Sequence, residues 1–141
     1  MNTEGVSDFY GRTTSKHFTL NLSEDEHPHF GTEYIYDDTE TTATNKIKEV
    51  KNRLHGAVKS DYAYTYDNRG NILTVSKSGV MFQQYVYDEA NQLKTEYNYA
   101  EGTAMTYIYD GNGNIVSKTP YTNAAYFDLS TANQGTATVC G

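Results

Sequence analysis

The sequence predicts an all-β protein, an antiparallel meander of β-hairpins that forms a curved open sheet. Three observations carry this prediction: tyrosines alternate with other residues in short runs, each run ends at an Asp, and the pattern repeats. The clearest runs read YAYTYD, YVYD and YIYD, and end at Asp67, Asp88 and Asp110. Alternation with a period of two places every second side chain on one face of a strand, and tyrosine favours strands.

The turn that follows each run has a consistent pattern. The residue three positions after the Asp is Gly70, Asn91 and Gly113 in the three clear copies. Gly and Asn are the residues that most readily adopt a positive φ, so we expect a left-handed residue there. The Asp carboxylate can accept hydrogen bonds from backbone N–H groups just ahead of it, which ends the strand. The turn-forming residues are therefore Asp67, Gly70, Asp88, Asn91, Asp110 and Gly113.

Two weaker copies of the pattern lie upstream. Asp8 is followed by Gly11 and Arg12 at the expected positions, but no tyrosine strand precedes it, which predicts that half of this hairpin is missing. Asp37 follows Tyr34 and Tyr36, and the Asn that belongs three residues later falls eight residues later. This spacing indicates a five-residue insertion in the second turn.

The strands predicted from this frame follow one another with short turns, several marked by Gly56, Gly79 and Gly102. They are Arg12–Asn21, Thr32–Asp37, Lys46–Arg53, Ala57–Asp67, Asn71–Lys77, Val80–Asp88, Gln92–Tyr99, Thr103–Asp110 and Asn114–Lys118. The segment Ser23–Gly31 is predicted to be an acidic loop. Three regions result: degenerate repeats over 1–61, clear repeats over 62–118, and a weakly patterned tail over 119–141. Within the tail, 124–129 and 136–139 are predicted to be short strands.

Composition excludes several functions. The chain has 141 residues, a net charge of -7, 14 tyrosines and no tryptophan. Nucleic acids and anionic membranes bind basic surfaces, so neither is expected as a partner. No apolar run has membrane-spanning length, so we expect no membrane insertion. The first residues do not resemble a signal peptide. The single cysteine, Cys140, excludes an internal disulfide and a multi-cysteine metal site.

The tyrosines are candidate binding residues, with two interpretations. Rings on one face of a sheet can pack as cross-strand pairs, which is a structural role, or they can stack on sugars if they are exposed. The structural interpretation is favoured. The residues concerned are Tyr64, Tyr66, Tyr85, Tyr87, Tyr99, Tyr107 and Tyr109.

Metal and catalytic sites have little support in the sequence. His27 and His29 flank Pro28 beside acidic residues, but the spacing fixes no third ligand. The stretch from Asp110 to Asn114 lacks the downstream Glu of a calcium-binding EF-hand loop. The carboxylates are spread over periodic turns instead of gathering at one place. We therefore expect no metal, no cofactor and no enzyme activity.

The repeat Tyr-x-Tyr-Asp-x-x-Gly-Asn-Ile/Leu, at about 21 residues, resembles the Rhs/YD-repeat family. The resemblance is strongest over 62–118 and weaker over 8–61. It implies hairpins that join into a long sheet spiralling into a hollow shell. Bacterial members are polymorphic toxins and wall-associated proteins, in which the shell encloses a C-terminal effector, and animal teneurins have a similar shell. Carbohydrate binding is also associated with these repeats.

The sequence also departs from this family. Many bacterial members have a self-cleavage junction with an Asp-Pro dipeptide, which is absent here, and the residues after Thr119 do not resemble an effector. With about five repeats, the chain is expected to be a wall segment of a shell, from a parent that is secreted or at the bacterial cell surface. Its expected partners are the remainder of such a shell or another copy of itself. The alternative is a module that binds a glycan or a protein through the tyrosine-rich face.

Overall fold

A computed structural model describes residues 2–19, 29–122 and 138–139. Every regular element in these residues is a β-strand. The eleven strands are β1 Asn2–Ser7, β2 Thr13–Thr19, β3 His29–Tyr36, β4 Ile47–Leu54, β5 Ala57–Tyr66, β6 Ile72–Lys77, β7 Val80–Tyr87, β8 Leu93–Asn98, β9 Thr103–Tyr109, β10 Ile115–Thr122 and β11 Thr138–Val139.

The predicted fold class is confirmed. The strands are hydrogen-bonded in their order along the chain, from β1 to β11, which is an open meander. Each strand pair whose register is described is antiparallel. The described residues contain no helix long and apolar enough to cross a membrane.

By their internal contacts the residues divide into two compact units. The first consists of Met1–Thr65 with Ser76–Val80, and the second of Tyr66–Val75 with Met81–Gly141. In the first unit, the register runs from β2 to β5 through rows such as Ser15, Glu33, Lys51 and Asp61. A bulge interrupts the pairing of β3 with β4 between Ile35 and Tyr36, next to the second turn.

The second unit has the same construction. Strand β7 pairs with β8, β8 with β9, and β9 with β10. Bulges lie between Val86 and Tyr87 and between Ile115 and Ser117, again beside the turns that contain Asp88 and Asp110. Strand β11 pairs with the end of β10 alone, through Tyr121 with Val139 and Thr122 with Thr138.

Three predictions about the strands were wrong: a missing first strand, the start of β3 and the end of β10. A strand, β1, does precede Asp8, so the first hairpin has both strands although the first one lacks tyrosine. Residues 29–31 belong to β3 and not to a loop, because His29, Phe30 and Gly31 pair with Thr19, Phe18 and His17. Strand β10 continues past Lys118 to Thr122 and includes Pro120. Pairing with neighbouring strands extends these segments beyond what their local sequence indicates.

Several other predicted features fall outside the described residues. They are most of the acidic loop, including His27, the predicted strand 124–129, and Cys140. Of the predicted strand 136–139, residues 138 and 139 are described, and they form β11.

The core of the second unit lies on the sheet face opposite to its repeated tyrosines. Tyr97 pairs with Ala104 and Ala104 pairs with Tyr121, so these three side chains form a row on one face. All three are buried, and Thr95 beside them is fully inaccessible. Tyr85 pairs with Glu96, the residue between Thr95 and Tyr97, and therefore projects from the other face.

Candidate functional site

The repeated turns are closed by their Asp residues. In the turn of Asp67, one carboxylate oxygen, Oδ1, accepts hydrogen bonds from the backbone N–H groups of Arg69 and Asn71, at 2.9 and 2.8 Å. The other oxygen, Oδ2, accepts from the Asn71 side chain at 2.9 Å. The backbone N–H of Asp67 donates to the Asn71 carbonyl, and that of Gly70 donates to the Asp67 carbonyl. The carboxylate therefore holds the turn through its own backbone.

The same arrangement recurs in the other turns. In the turn of Asp110, the backbone N–H groups of Asn112 and Asn114 donate to Oδ1, both at 2.9 Å, and the Asn114 side chain donates to Oδ2. Asp88 accepts from the backbone N–H of Gln92. Asp8 accepts from the backbone N–H groups of Tyr10 and Arg12.

The predicted left-handed residue is confirmed at the third position after the Asp. Asn91 has a φ of 67°, and the three glycines at this position also have positive φ. These are Gly11 at 77°, Gly70 at 94° and Gly113 at 85°. Since β-branched residues strongly disfavour this conformation, the position explains the choice of Gly or Asn.

The second turn accommodates its predicted insertion. The backbone N–H of Asp37 donates to the Lys46 carbonyl, nine residues ahead instead of four, so the ladder closes after five extra residues. The next residue, Asp38, accepts a hydrogen bond from the Thr44 backbone N–H at 2.8 Å. The inserted loop is thus closed by the carboxylate of Asp38.

Arg12 connects the first two turns. Its guanidinium donates to both carboxylate oxygens of Asp38, at 2.8 and 2.7 Å, to Asp8 at 2.7 Å, and to the Thr44 carbonyl. The same group lies 4.2 Å from the ring centre of Tyr36. Hydrogen bonding by Arg12 lowers the pKa of the Asp38 carboxyl to about 2. Arg12 is therefore fully engaged in joining two repeats.

The tyrosine directly before the Asp forms the second type of connection between repeats. The hydroxyl of Tyr87 donates to the backbone carbonyl of Ile72 at 3.0 Å, and that of Tyr109 donates to the carbonyl of Leu93 at 2.8 Å. Tyr36 donates in the same way to Thr13 at 2.8 Å. Each acceptor is the fifth residue after the Asp of the preceding repeat. We call this hydrogen bond the tyrosine joint.

The fourth residue after the Asp forms a third connection. Its side chain reaches the turn of the following repeat: Arg12 reaches Asp38, and the Asn71 side chain donates to the side chain of Asn91. A Cβ atom at Gly113 would lie 3.2 Å from the side-chain nitrogen of Gln92. The turns of successive repeats are thus in contact with one another.

Four of the candidate tyrosines, all in the second unit, share one face of the sheet. Tyr85 pairs with Glu96, Glu96 pairs with Met105, and Tyr107 lies two residues after Met105. Because alternate residues of a strand face the same way, Tyr85, Tyr87, Tyr107 and Tyr109 belong to the same face. We call this the tyrosine face.

These tyrosines are neither fully buried nor freely exposed. Tyr64 and Tyr66 are half-buried, as are the four tyrosines of the tyrosine face, whereas Tyr99 is 43% exposed. The hydroxyl of Tyr85 donates to Gln83, and that of Tyr107 donates to Glu96 at 2.8 Å. Burial, followed by this hydrogen bond to the Glu96 carboxylate, raises the pKa of Tyr107 to about 12.

A shallow cleft of about 350 Å³ lies in the second unit, near the hairpin end that is remote from the Asp turns. Its polar lining includes Gln83, Glu96 and Asn98, and Met105 and Pro120 supply apolar surface. The side-chain oxygen of Asn98 accepts hydrogen bonds from the backbone N–H groups of residues 100 and 101. No local pattern in the sequence indicates this cleft, because its residues come together through the register of four strands.

The geometry does not favour a calcium site at Asp110. Both of its carboxylate oxygens accept hydrogen bonds within the turn, and the hydrogen bond from Asn114 is the largest cause of its lowered pKa. Calcium prefers several free oxygen ligands. In the part of the chain that the structure describes, no three His, Cys, Asp or Glu residues are grouped so that they could hold a metal ion.

Comparison with known proteins does not assign the chain to a family. A scan against protein-family models found no match, and a search of curated proteins found none either.

The tyrosine joint is the feature that sequence reasoning missed. The donor could be seen in the sequence, because the Tyr-Asp pair recurs in every clear repeat. The acceptor could not, because it is a backbone carbonyl, which every residue carries.

Proposed function

We propose that the chain is a scaffold: a structural repeat segment of an Rhs/YD-repeat shell, without catalytic activity of its own. In full-length relatives of that kind, such a shell encloses a C-terminal toxin effector, and the parent protein is secreted or located at the cell surface. The observation that carries the proposal is how the repeated polar groups are used. The Asp carboxylates close turns, and the tyrosine hydroxyls before them bond to the preceding repeat.

The positions that define the repeat are therefore those that connect one repeat to the next. In the pairs Tyr87-Asp88 and Tyr109-Asp110, the tyrosine joins repeats and the Asp shapes the turn. A binding or catalytic site would instead leave polar groups directed at a ligand. This use of the repeated residues supports a wall whose chemistry is hairpin-to-hairpin pairing.

The proposal is tested by removing the joints. Tyr87→Phe and Tyr109→Phe each delete one hydroxyl and should lower the free energy of unfolding by about 1 kcal/mol, the net value of a typical hydrogen bond. Tyr99→Phe is the matched control, because its hydroxyl bonds to the side chain of Gln84 in the same pair of repeats and its ring is exposed. Urea denaturation measures all three variants. Equal stability of the joint variants and the control would contradict a scaffold built on these joints.

The alternative function is a module that binds a glycan or a protein at the cell surface. The cleft beside Gln83, Glu96 and Asn98 is the observation that favours it, because amide and carboxylate groups converge there next to apolar surface. Titration with oligosaccharides, followed by tyrosine fluorescence, tests this function. Saturable binding that is lost in Asn98→Ala would support it, and a lack of any response would leave the scaffold proposal unopposed.

A further inference from the structure

The last described repeat offers the acceptor half of a tyrosine joint. The three observed joints use the carbonyl of the fifth residue after an Asp as the acceptor: Thr13, Ile72 and Leu93. Counting five residues from Asp110 gives Ile115, the first residue of β10. The fourth residue, Asn114, corresponds to Arg12, Asn71 and Gln92, whose side chains reach the next turn. Both Asn114 and Ile115 are exposed.

In the part of the chain that the structure describes, the outer side of β10 is paired only at the end of the strand. Strand β11 pairs only with Tyr121 and Thr122, so among the described residues none pairs with the outer side of 115–120. Because β11 is antiparallel to β10, it also sets the direction that a further strand takes there. The side chains of Ile115 and Val116 are 47% and 61% exposed. Within the described residues, this edge combines unpaired strand positions with exposed apolar surface.

The first repeat does not offer the complementary half of the joint. The residue before Asp8 is Ser7, where the joint requires a tyrosine. The tyrosines of the other joints, Tyr36, Tyr87 and Tyr109, already donate within the chain. Among the described residues these tyrosines are already engaged, so the expected partner at the edge of β10 is a segment that supplies its own tyrosine.

We infer that the outer edge of β10 binds an extended segment that ends in Tyr-Asp, as an added antiparallel strand whose tyrosine hydroxyl donates to the Ile115 carbonyl. Strand addition supplies affinity through main-chain hydrogen bonds, and the joint supplies selectivity for tyrosine at one position. The inference rests on the proposed function, since it extends the joint between repeats to a partner segment. The expected partner segment has the period-two pattern of a strand, followed by a tyrosine and then an Asp.

The test uses the full chain and a synthetic peptide with the sequence of residues 103–114, which contains Tyr109 and the turn of Asp110. The control peptide carries Tyr109→Phe. Backbone amide signals of the labelled protein are followed by NMR during titration. We expect the first peptide to shift signals of residues 115–119, and the control peptide to bind about fivefold more weakly, the factor that corresponds to one typical hydrogen bond.

Two variants of the protein make the test specific to this edge. Asn114→Ala removes the side chain that should reach the partner's turn, and it should weaken peptide binding. Asn71→Ala loses the equivalent hydrogen bond to its own Asp in an internal repeat, so it should leave peptide binding unchanged. Equal affinity for both peptides, shifts confined to residues 4–7 of β1, or no binding would each overturn the inference. These outcomes are independent of the urea experiment, which tests the internal joints and thus the proposed function.

Discussion

At the scale of the residue, the third position after the Asp accepts only residues that tolerate positive φ. Gly70 has a φ of 94°, and its N–H donates to the Asp67 carbonyl. Gly70→Val should lower the free energy of unfolding by about 1–3 kcal/mol, because a β-branched side chain is strained there. Asn91→Gly, at the equivalent position, should be neutral or slightly stabilising. Urea denaturation measures both, and an unchanged midpoint for Gly70→Val would show that the position tolerates strain.

These positions were predictable because a backbone requirement limits the side chain to Gly or Asn, and the repeat shows both. Tyr121 was not predictable. Its local sequence, around Pro120, has no alternating pattern, yet it is 4% exposed because it is paired with Ala104 in the buried row. Burial of this kind depends on the register of strands far apart in sequence, which no local pattern records.

At the scale of the element, the first two hairpins are held together by one charged group. Arg12 binds Asp38, whose pKa falls from 3.8 to about 2 through this contact. A carboxyl with a lowered pKa stabilises the folded state above its unfolded pKa, and the contribution is lost as the pH falls through the folded pKa. The stability of the first unit should therefore decline between pH 3.8 and about 2.

The variant Asp38→Asn separates this effect from general acid denaturation. It should lower the stability at neutral pH and flatten the decline in acid, because the titrating group is absent. Glu40→Gln, which removes an exposed carboxylate from the same loop, is the matched control and should change the profile little. Circular dichroism melts across this pH range measure the effect. If the stability of Asp38→Asn declines in acid as steeply as that of the unsubstituted chain, the decline comes from other carboxyls.

The hairpins themselves illustrate what the sequence can and cannot specify at this scale. Nine of the strands, β2 to β10, were predicted because period-two patterning and turn residues mark both of their ends. Strand β1 was missed, since its sequence NTEGVS has neither tyrosine nor alternation, and only pairing with β2 makes it a strand. The tyrosine face was recognised, but the buried core on the opposite face was not, because Thr95 and Ala104 carry no aromatic signal.

At the scale of the whole molecule, few of the side chains that the structure describes are buried. Among the described residues, the buried hydrophobic side chains are Val75, Tyr97, Ala104 and Tyr121. Hydrophobic burial is the main favourable contribution to folding, so we expect modest stability and association through whatever edge is open. Strands with a neighbour on both sides cannot add another strand, which makes association specific to an edge.

This expectation can be tested with two substitutions of equal chemistry. Val116 lies on β10, and Val80 lies on β7, which has β6 and β8 as neighbours. Both side chains are exposed, at 61% and 69%. A lysine on an edge strand opposes pairing, so Val116→Lys should shift the sedimentation profile towards the monomer and Val80→Lys should not. If the two variants associate equally, general hydrophobic contact and not strand pairing at β10 brings the chains together. If the unsubstituted chain is a monomer at every concentration, the expected association through the open edge is wrong.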